Sequence, residues 1–595
     1  MRTKAIYAAV SAIGLLYFSA PFASSQTIDP TVEVSRDYEG KMIDVHKPVQ
    51  TMPVPDSLQH FDLEFDYFVN DSPYKGAYVF TPYMLDMTPG ETDFGERQLW
   101  LKAGAGFALQ PVLDLVWSPL RKGRFRMNVY ASHRSYFGRY RGIGLSPASD
   151  GGSSLVLDDY AWKPYYGPDR SAGSTSFSGY ESRTTAGVDG IYAWKGGNFG
   201  FDVSYYGVAA KDTLLARGYD AVDAKFHIGS DNSASRRFIY GVSARYRFGE
   251  DKADLSGNGS GYFQEHLMDM DVSLSPKISE FSRVDIDFGT DIAFYLSAGR
   301  YTGDIYAVPS YRFDKGRWDL DLGVKFAAVF FNDYVSESQN ILQVKQGQFV
   351  FPAVNVAFEA VKDYLSVYVS ADGGNENYTW SDMLDRNSRY DLYRASWQSL
   401  GNNLVNVAAD IGIRGNVASR FGYDLRTGYV LSDWGLFDGI WTDAAGRVGY
   451  MPVYSASRLY HVTLSCKWES RDFSADGAFS YKDSDVAGRT AGAFAPAAFS
   501  GYVNMTYNWR KRIFVGVDCG FSAARKAVLA SSDGMTASYV SLPGYADLGL
   551  SVEFKFSRQL SFWAHGGNLL DMTVQRIPLY AESGVNFTAG ICLNL

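Results

Sequence analysis

Between Tyr545 and Leu595 the chain repeats one pattern three times. Leu548, Leu550, Val552, Phe554 and Phe556 alternate with Asp547, Gly549, Ser551, Glu553 and Lys555. Leu560, Phe562 and Ala564 then alternate with Ser561, Trp563 and His565. Finally Val585, Phe587, Ala589, Ile591, Leu593 and Leu595 stand against Asn586, Thr588, Gly590 and Asn594. Side chains alternate faces along a strand, so each segment has one apolar and one more polar face. The last of them is apolar up to its final residue. In an open soluble sheet such an edge invites aggregation. A closed barrel removes the edge by pairing the last strand with the first.

The same period runs back to Arg97. Leu99, Leu101, Ala103, Ala105 and Phe107 share a face, as do Phe125, Met127, Val129 and Ala131. Val284, Ile286, Phe288, Ile292 and Phe294 lie opposite Asp285, Asp287 and Asp291. Leu320, Leu322, Val324 and Phe326 lie opposite Asp319, Asp321 and Lys325. These runs span about 10–14 residues, which suits tilted strands that cross a bilayer better than ordinary soluble strands. Many begin or end in an aromatic (Trp318, Phe331, Trp468, Phe562), as interfacial girdles require. Connections alternate in length. They are short near residues 195–198, 279–282, 314–317, 469–472, 510–512 and 557–559, and long at 138–179, 374–402, 434–457, 484–498 and 527–544. Short turns on one side and long loops on the other are the outer-membrane pattern. The fold class expected is therefore all-β, a transmembrane antiparallel β-barrel of about 22 strands over residues 97–595. A mean hydropathy of −0.17 does not oppose this, because such strands are half polar by construction.

Residues 1–25 read as a signal peptide, with Arg2 and Lys4 before an apolar run and small residues ahead of a cleavage point near Ser25/Gln26. Its removal makes the acidic chain, of formal net charge −9, more negative still, which disfavours nucleic acid as a partner. Residues 26–96 are Pro-rich and poor in clean alternation, and read as an extended periplasmic or lumenal arm. Three cysteines do not make a disulfide framework, and Cys466 and Cys519 fall on apolar strand faces. The seven histidines show no HxxxH or HxH pair, and no nucleophile elbow is present. No catalytic residue, metal site or cofactor is expected, and the chain does not read as an enzyme.

The segment LSFWAHGGNLLDMTVQRIPLYAESGVNFTAGICLNL, from Leu560 to Leu595, resembles the end of TonB-dependent receptor barrels. The entry LWLKAGAGFALQPVLDLVWSP with FRMNVYASHRSYFG, from Leu99, and the leader VEVSRDYEGKMIDVHKP, from Val32, resemble plugless relatives in Bacteroidota. Two features depart from the receptor pattern. The arm is shorter than the ~100 residues of a folded plug domain, and the chain ends in Leu595 where an aromatic is usual. The resemblance implies a bacterial outer-membrane location and either solute passage or support of an outer-membrane complex. Energy-coupled uptake of a nutrient is the alternative, and a secreted soluble glycan-binding protein is a third reading from a different class.

Three groups of residues are candidates for function. Lys102, Arg126, Asp285, Asp287, Asp291, Asp319, Asp321, Lys325, Glu553 and Lys555 fall on the lumen face, where charge sets ion preference, although any wet wall needs polar residues. Tyr160, Trp162, Tyr165, Tyr166, Tyr378, Trp380, Trp434 and Trp441 fall in long loops. There they can stack on a ligand or simply pack against one another. Val32, Val34, Arg36 and Tyr38 alternate within the arm and can add a strand to a periplasmic or outer-membrane protein partner. Outer-membrane lipid is the remaining expected partner.

Overall fold

The computed structural model describes residues 98–595 except 108, 142, 148–159, 165–175, 212–215, 231–236, 253–262, 297–298, 334–345, 363, 391–399, 401, 418–419, 443–447, 487–492, 531–536 and 579. The stretches expected as signal peptide and arm, with Val32, Val34, Arg36 and Tyr38, lie outside the described residues. What is described is a closed antiparallel barrel of 22 strands. Closure is made by the first strand, Leu99–Phe107, pairing with the last, Asn586–Asn594, from Trp100↔Asn594 to Phe107↔Phe587. The amide groups of Gln98 and Leu99 both donate to the Leu595 carbonyl, at 2.6 and 2.8 Å. The apolar final strand is thus the seam of the wall.

Alternation along the strands sorts the two faces. Phe288, Phe294, Leu322, Val324, Phe326, Leu550, Val552, Phe554 and Phe562 are among the exposed large apolar residues, so they face out of the barrel. Such a continuous apolar outer surface is what a bilayer requires. Outward aromatics gather at two levels. Near the short turns stand Phe125, Tyr192, Trp318, Trp468 and Trp509, and nearer the long loops Phe137, Tyr246, Tyr301, Tyr429 and Tyr460. Tyr301 and Tyr311 lie ten residues apart on one strand (Arg300–Lys315), about 33 Å of chain and about 25 Å of height once tilted, matching the apolar band of an outer membrane. Phe331 departs from the girdle expected of it. It pairs with the buried, lumen-facing Thr302, and the Arg300 guanidinium lies 4.7 Å from its ring.

Connections sort as the sequence implied, with two differences, of which the smaller is a hairpin, Arg525–Ala530 with Ala537–Leu542, inside the long connection expected at 527–544. The strand Ala216–Ser230 fills the stretch around Asp220–Gly229 without a break. Residues 434–457, expected as a long loop, are mostly strand. The strands Phe421–Thr442 and Val448–Glu469 stay paired from Gly435↔Ser455 to Thr442↔Val448, leaving only 443–447 between them. Their Gly, Asp and Ser content reads as loop, and their apolar residues fall on both faces, Leu436 with Tyr454 on one and Phe437 with Val453 on the other, so no alternation declares the hairpin. The hairpin outruns both its neighbours. Strand Asn402–Val417 pairs with it only as far as Ser432, and strand Phe473–Val486 only as far as Ser457. A register shift between Ser432 and Gly435 marks where the tip leaves the wall.

Candidate functional site

The connection 378–401 carries the helix Trp380–Arg386, capped by the Thr379 hydroxyl, which accepts from the Asp382 amide. A helix of seven residues is too short to hold itself in water. Tertiary packing holds this one. Trp380, Leu384 and Tyr390 are fully buried and Met383 nearly so. They join one cluster with Tyr219, Phe263, Leu267, Ala293 and Tyr295 from the barrel wall, Tyr450 and Tyr454 from the hairpin tip, and Phe494, Leu542 and Tyr580 from neighbouring outer segments. All of these lie at the long-loop end of the barrel.

Trp380 sits in a wall pocket of opposite charges. Its backbone amide donates to Glu265 at 2.6 Å and its indole Nε1–H to Asp251 at 2.9 Å. The Arg217 guanidinium lies 4.7 Å from the Trp380 ring and forms an ion pair with Asp251 at 3.2 Å, both side chains being 0% exposed. Phe263 meets the indole edge-on. Glu265 also accepts from the Tyr219 hydroxyl at 2.7 Å, the Tyr295 hydroxyl at 3.3 Å and the Ser381 amide at 3.3 Å. A fully buried carboxylate is tolerable only with such a set of donors.

The far end of the same segment reaches other walls. Arg389 pairs with Glu181 at 3.1 Å and lies against the Tyr580 ring. Arg183 pairs with Asp385 at 3.3 Å, and Tyr206 donates to the same carboxylate. Arg386 reaches Asp438 at 3.2 Å, and the Tyr390 hydroxyl donates to Asp438 at 2.5 Å. Burial, and then the Asp438 carboxylate, push the Tyr390 phenol well above its ordinary pKa. The strand bearing Glu181 (Ser176–Trp194) is fourth in the barrel and that bearing Asp438 is fifteenth. They are half a circumference apart, so the segment and the hairpin tip together bridge the outer mouth.

The loop aromatics meet here, but not as an exposed platform. Trp380 is buried because its amide and indole donors find buried acceptors. Tyr378 and Trp434 are half-buried against the same cluster, with the Tyr378 and Tyr454 rings 5.7 Å apart. Trp434 is tied at its backbone amide to Asn403 at 3.2 Å. Tyr160 and Trp162 belong to a small hairpin, Ile143–Pro147 with Tyr160–Pro164, whose side chains, like that of Trp441, are not described. Tyr165 and Tyr166 lie outside the described residues.

The predicted lumen charges are spread along the wall below the roof. Asp285 is held by Arg283 at 3.0 Å and Asp321 by Arg312, while Glu553 accepts from Ser561 at 2.6 Å. Lys102, Lys325 and Lys555 lie over the rings of Trp563, Tyr306 and Phe514. Arg126 and Asp319 are exposed. Asp287 is half-buried, and Asp291 stands in register with Asp269 and Asp304 on the adjacent strands. No single ring gathers them.

Sequence reasoning missed the roof's ionic partners: Glu181, Arg183, Arg217, Asp251, Glu265, Asp385, Arg389 and Asp438. One signal was present. At the outer strand ends the lumen-facing positions turn apolar, as at Tyr219 and Ala221, Phe263 and Leu267, or Ala293 and Tyr295. A wall apolar on both faces must be covered from inside.

The Asn568-Leu569-Leu570-Asp571 motif has a structural task. Asn568, at φ 48°, donates to the carbonyls of Met572 at 2.8 Å and Ser583 at 3.2 Å, and so closes the last long connection.

No protein-family model and no curated protein matches the sequence. Solved structures with the same fold do. The siderophore receptor PirA from Acinetobacter baumannii aligns over 84% of this chain and 80% of its own, with TM-score 0.58 and 11% identity. The FrpB iron transporter from Neisseria meningitidis aligns over 84% and 81%, with TM-score 0.57 and 10% identity. FpvA of Pseudomonas aeruginosa, bound to heterologous pyoverdines, aligns over 84% and 72%, with TM-score 0.57 and 9% identity. The fold is therefore that of TonB-dependent receptor barrels.

Proposed function

We propose that this chain is an outer-membrane passage protein whose outer mouth is closed by its own loops. The observation that carries this reading is the bridge of residues 380–390 and the hairpin tip between strands half a circumference apart. It supports a lumen that is wet below and sealed above, as a regulated pathway needs. The polar lumen wall suits a hydrophilic solute. The apolar outer belt does not suit the soluble glycan-binding reading.

Reconstituted in a planar bilayer, the mature chain should conduct rarely, and a chain with residues 380–399 replaced by a short Gly/Ser linker should conduct in large steps. Silence in both would favour the scaffold role. Likeness to siderophore and iron receptors favours energy-coupled uptake as the second reading. Ligand uptake that persists without the inner-membrane energy transducer would exclude it. The arm is proposed to contact a periplasmic partner through Val32, Val34, Arg36 and Tyr38. Deleting residues 26–48 should then abolish co-purification of that partner, and unchanged recovery would remove the idea.

A further inference from the structure

We infer that Trp380 is the latch of the outer mouth, and that on opening the helix leaves the wall at the Trp380 pocket while staying attached to the hairpin tip. This rests on the passage reading only for its consequence, not for its geometry.

The segment 380–390 has two kinds of attachment. At Trp380 and Ser381 it meets side chains that belong to the barrel wall: Arg217, Tyr219, Asp251, Phe263, Glu265 and Tyr295. These strands are paired on both sides, from Ala216–Ser230 through Ser282–Tyr295, and cannot move singly. At Arg386 and Tyr390 it meets Asp438 and, through a backbone bridge, Tyr450. Both belong to the tip, whose pairing with the neighbouring wall strands ends at Ser432 and Ser457; beyond that it pairs, at Asp438↔Phe494 and Gly439↔Ala493, with a two-residue strand in the connection that follows strand Phe473–Val486. Asp385, Ser388 and Arg389 also meet the wall, at Arg183, Tyr206, Arg217 and Glu181. The boundary between what is fixed and what is not therefore runs between the segment and the wall, at Trp380 and again at these three residues, and not between the segment and the tip at Tyr390.

The chemistry on either side of that boundary differs in the same sense. On the tip side a main-chain bridge and a shared carboxylate hold two elements with the same freedom. On the wall side the indole closes a socket whose floor is already paired within itself, and the wall partners of Asp385 and Arg389, Arg183 and Glu181, stand 3.7 Å from each other. Arg217 keeps Asp251, and Glu265 keeps Tyr219 and Tyr295, when the indole departs. The socket survives opening without an orphaned charge, as a reversible latch requires. The amide-rich stems serve as pivots. Asn377 donates to the Asp291 carbonyl at 3.0 Å and Asn402 to Asn375 at 2.6 Å. Hydrogen bonds of this kind can be exchanged for water at little net cost.

The test uses the full mature chain in detergent and in planar bilayers. Trp380→Gly should shift the mouth from closed to open by a factor on the order of a hundred or more, the usual consequence of emptying a buried indole site. Backbone amide exchange over residues 380–390 should accelerate accordingly, while the strand Ser282–Tyr295 keeps its protection. Free indole at millimolar concentration should refill the socket and slow that exchange again, as apolar cavities take up small aromatics. In a chain with Cys466, Cys519 and Cys592 replaced by Ser, a Tyr390→Cys, Tyr450→Cys disulfide should leave opening by Trp380→Gly intact. Unchanged exchange at 380–390 in Trp380→Gly would overturn the latch even if the protein conducts. Opening abolished by the 390–450 disulfide would overturn the boundary. Accelerated exchange without conductance would keep the latch and count against the passage reading alone.

Discussion

Replacing Asp251 by Ala removes the ion-pair partner of a wholly buried Arg217, which still donates to the Ser388 carbonyl at 2.9 Å, and the acceptor of the Trp380 indole in one step. Breaking a buried ion pair from one side typically costs 3–5 kcal/mol, and losing a buried acceptor adds about 1–3 kcal/mol. The two losses share groups and do not add fully. The barrel need not bear this cost, because Arg217 regains water once the roof lifts. About 4 kcal/mol then appears as a shift of ~10³-fold from closed to open. Amide exchange over 380–390 and limited proteolysis of the roof should both report it. The heat-modifiable gel shift of the barrel, which depends on the strand ladder, should stay near wild type. Arg217→Met with Asp251→Leu removes both charges together and should recover most of the closure, since apolar replacements of a buried pair are often neutral. Two results would refute the reasoning: a single variant whose roof is as protected as wild type, or a double variant as open as the single one.

Other predictions follow from the wall. Phe288→Arg places a cation on the outer apolar belt and should destabilise the membrane-inserted barrel by about 2–4 kcal/mol in reversible unfolding from lipid. Asp287→Arg, one residue along and facing the lumen, should move the same midpoint by less than a quarter of that. Gly104→Val should impair closure of the seam. A Cβ there would lie 2.5 Å from the Trp563 ring and 2.6 Å from the Ala589 carbonyl oxygen, so the folded band on unheated gels should weaken. Glu265→Gln keeps an acceptor but loses charge at the helix start, and should loosen the roof by about tenfold in the same exchange assay, less than Asp251→Ala.

The wall was readable because a barrel strand advertises both of its faces. Leu548 to Phe556 against Asp547 to Lys555 already states which side meets lipid. The long and short connections state which end is which. The loop aromatics were harder. Tyr378, Trp380 and Trp434 were flagged by type, and type alone did not say whether they face solvent or one another. Their neighbours in space, Glu265, Asp251 and Asp438, sit in segments far along the chain, the first two looking like polar lumen residues and the third like one more loop residue. Residues 434–457 looked like loop because a hairpin tip clear of the bilayer carries no alternation.

A period of two, repeated over strands of membrane-crossing length, left this chain little choice but a closed wall, since each residue's face is set by its parity along the strand. The roof was decided by tertiary structure. Asp251 and Glu265 stand at the outer ends of two adjacent strands, and Trp380, more than a hundred residues further on, reaches them only after the wall has curved round. Burial and charge pairing depend on that distance in space, and no local pattern encodes it.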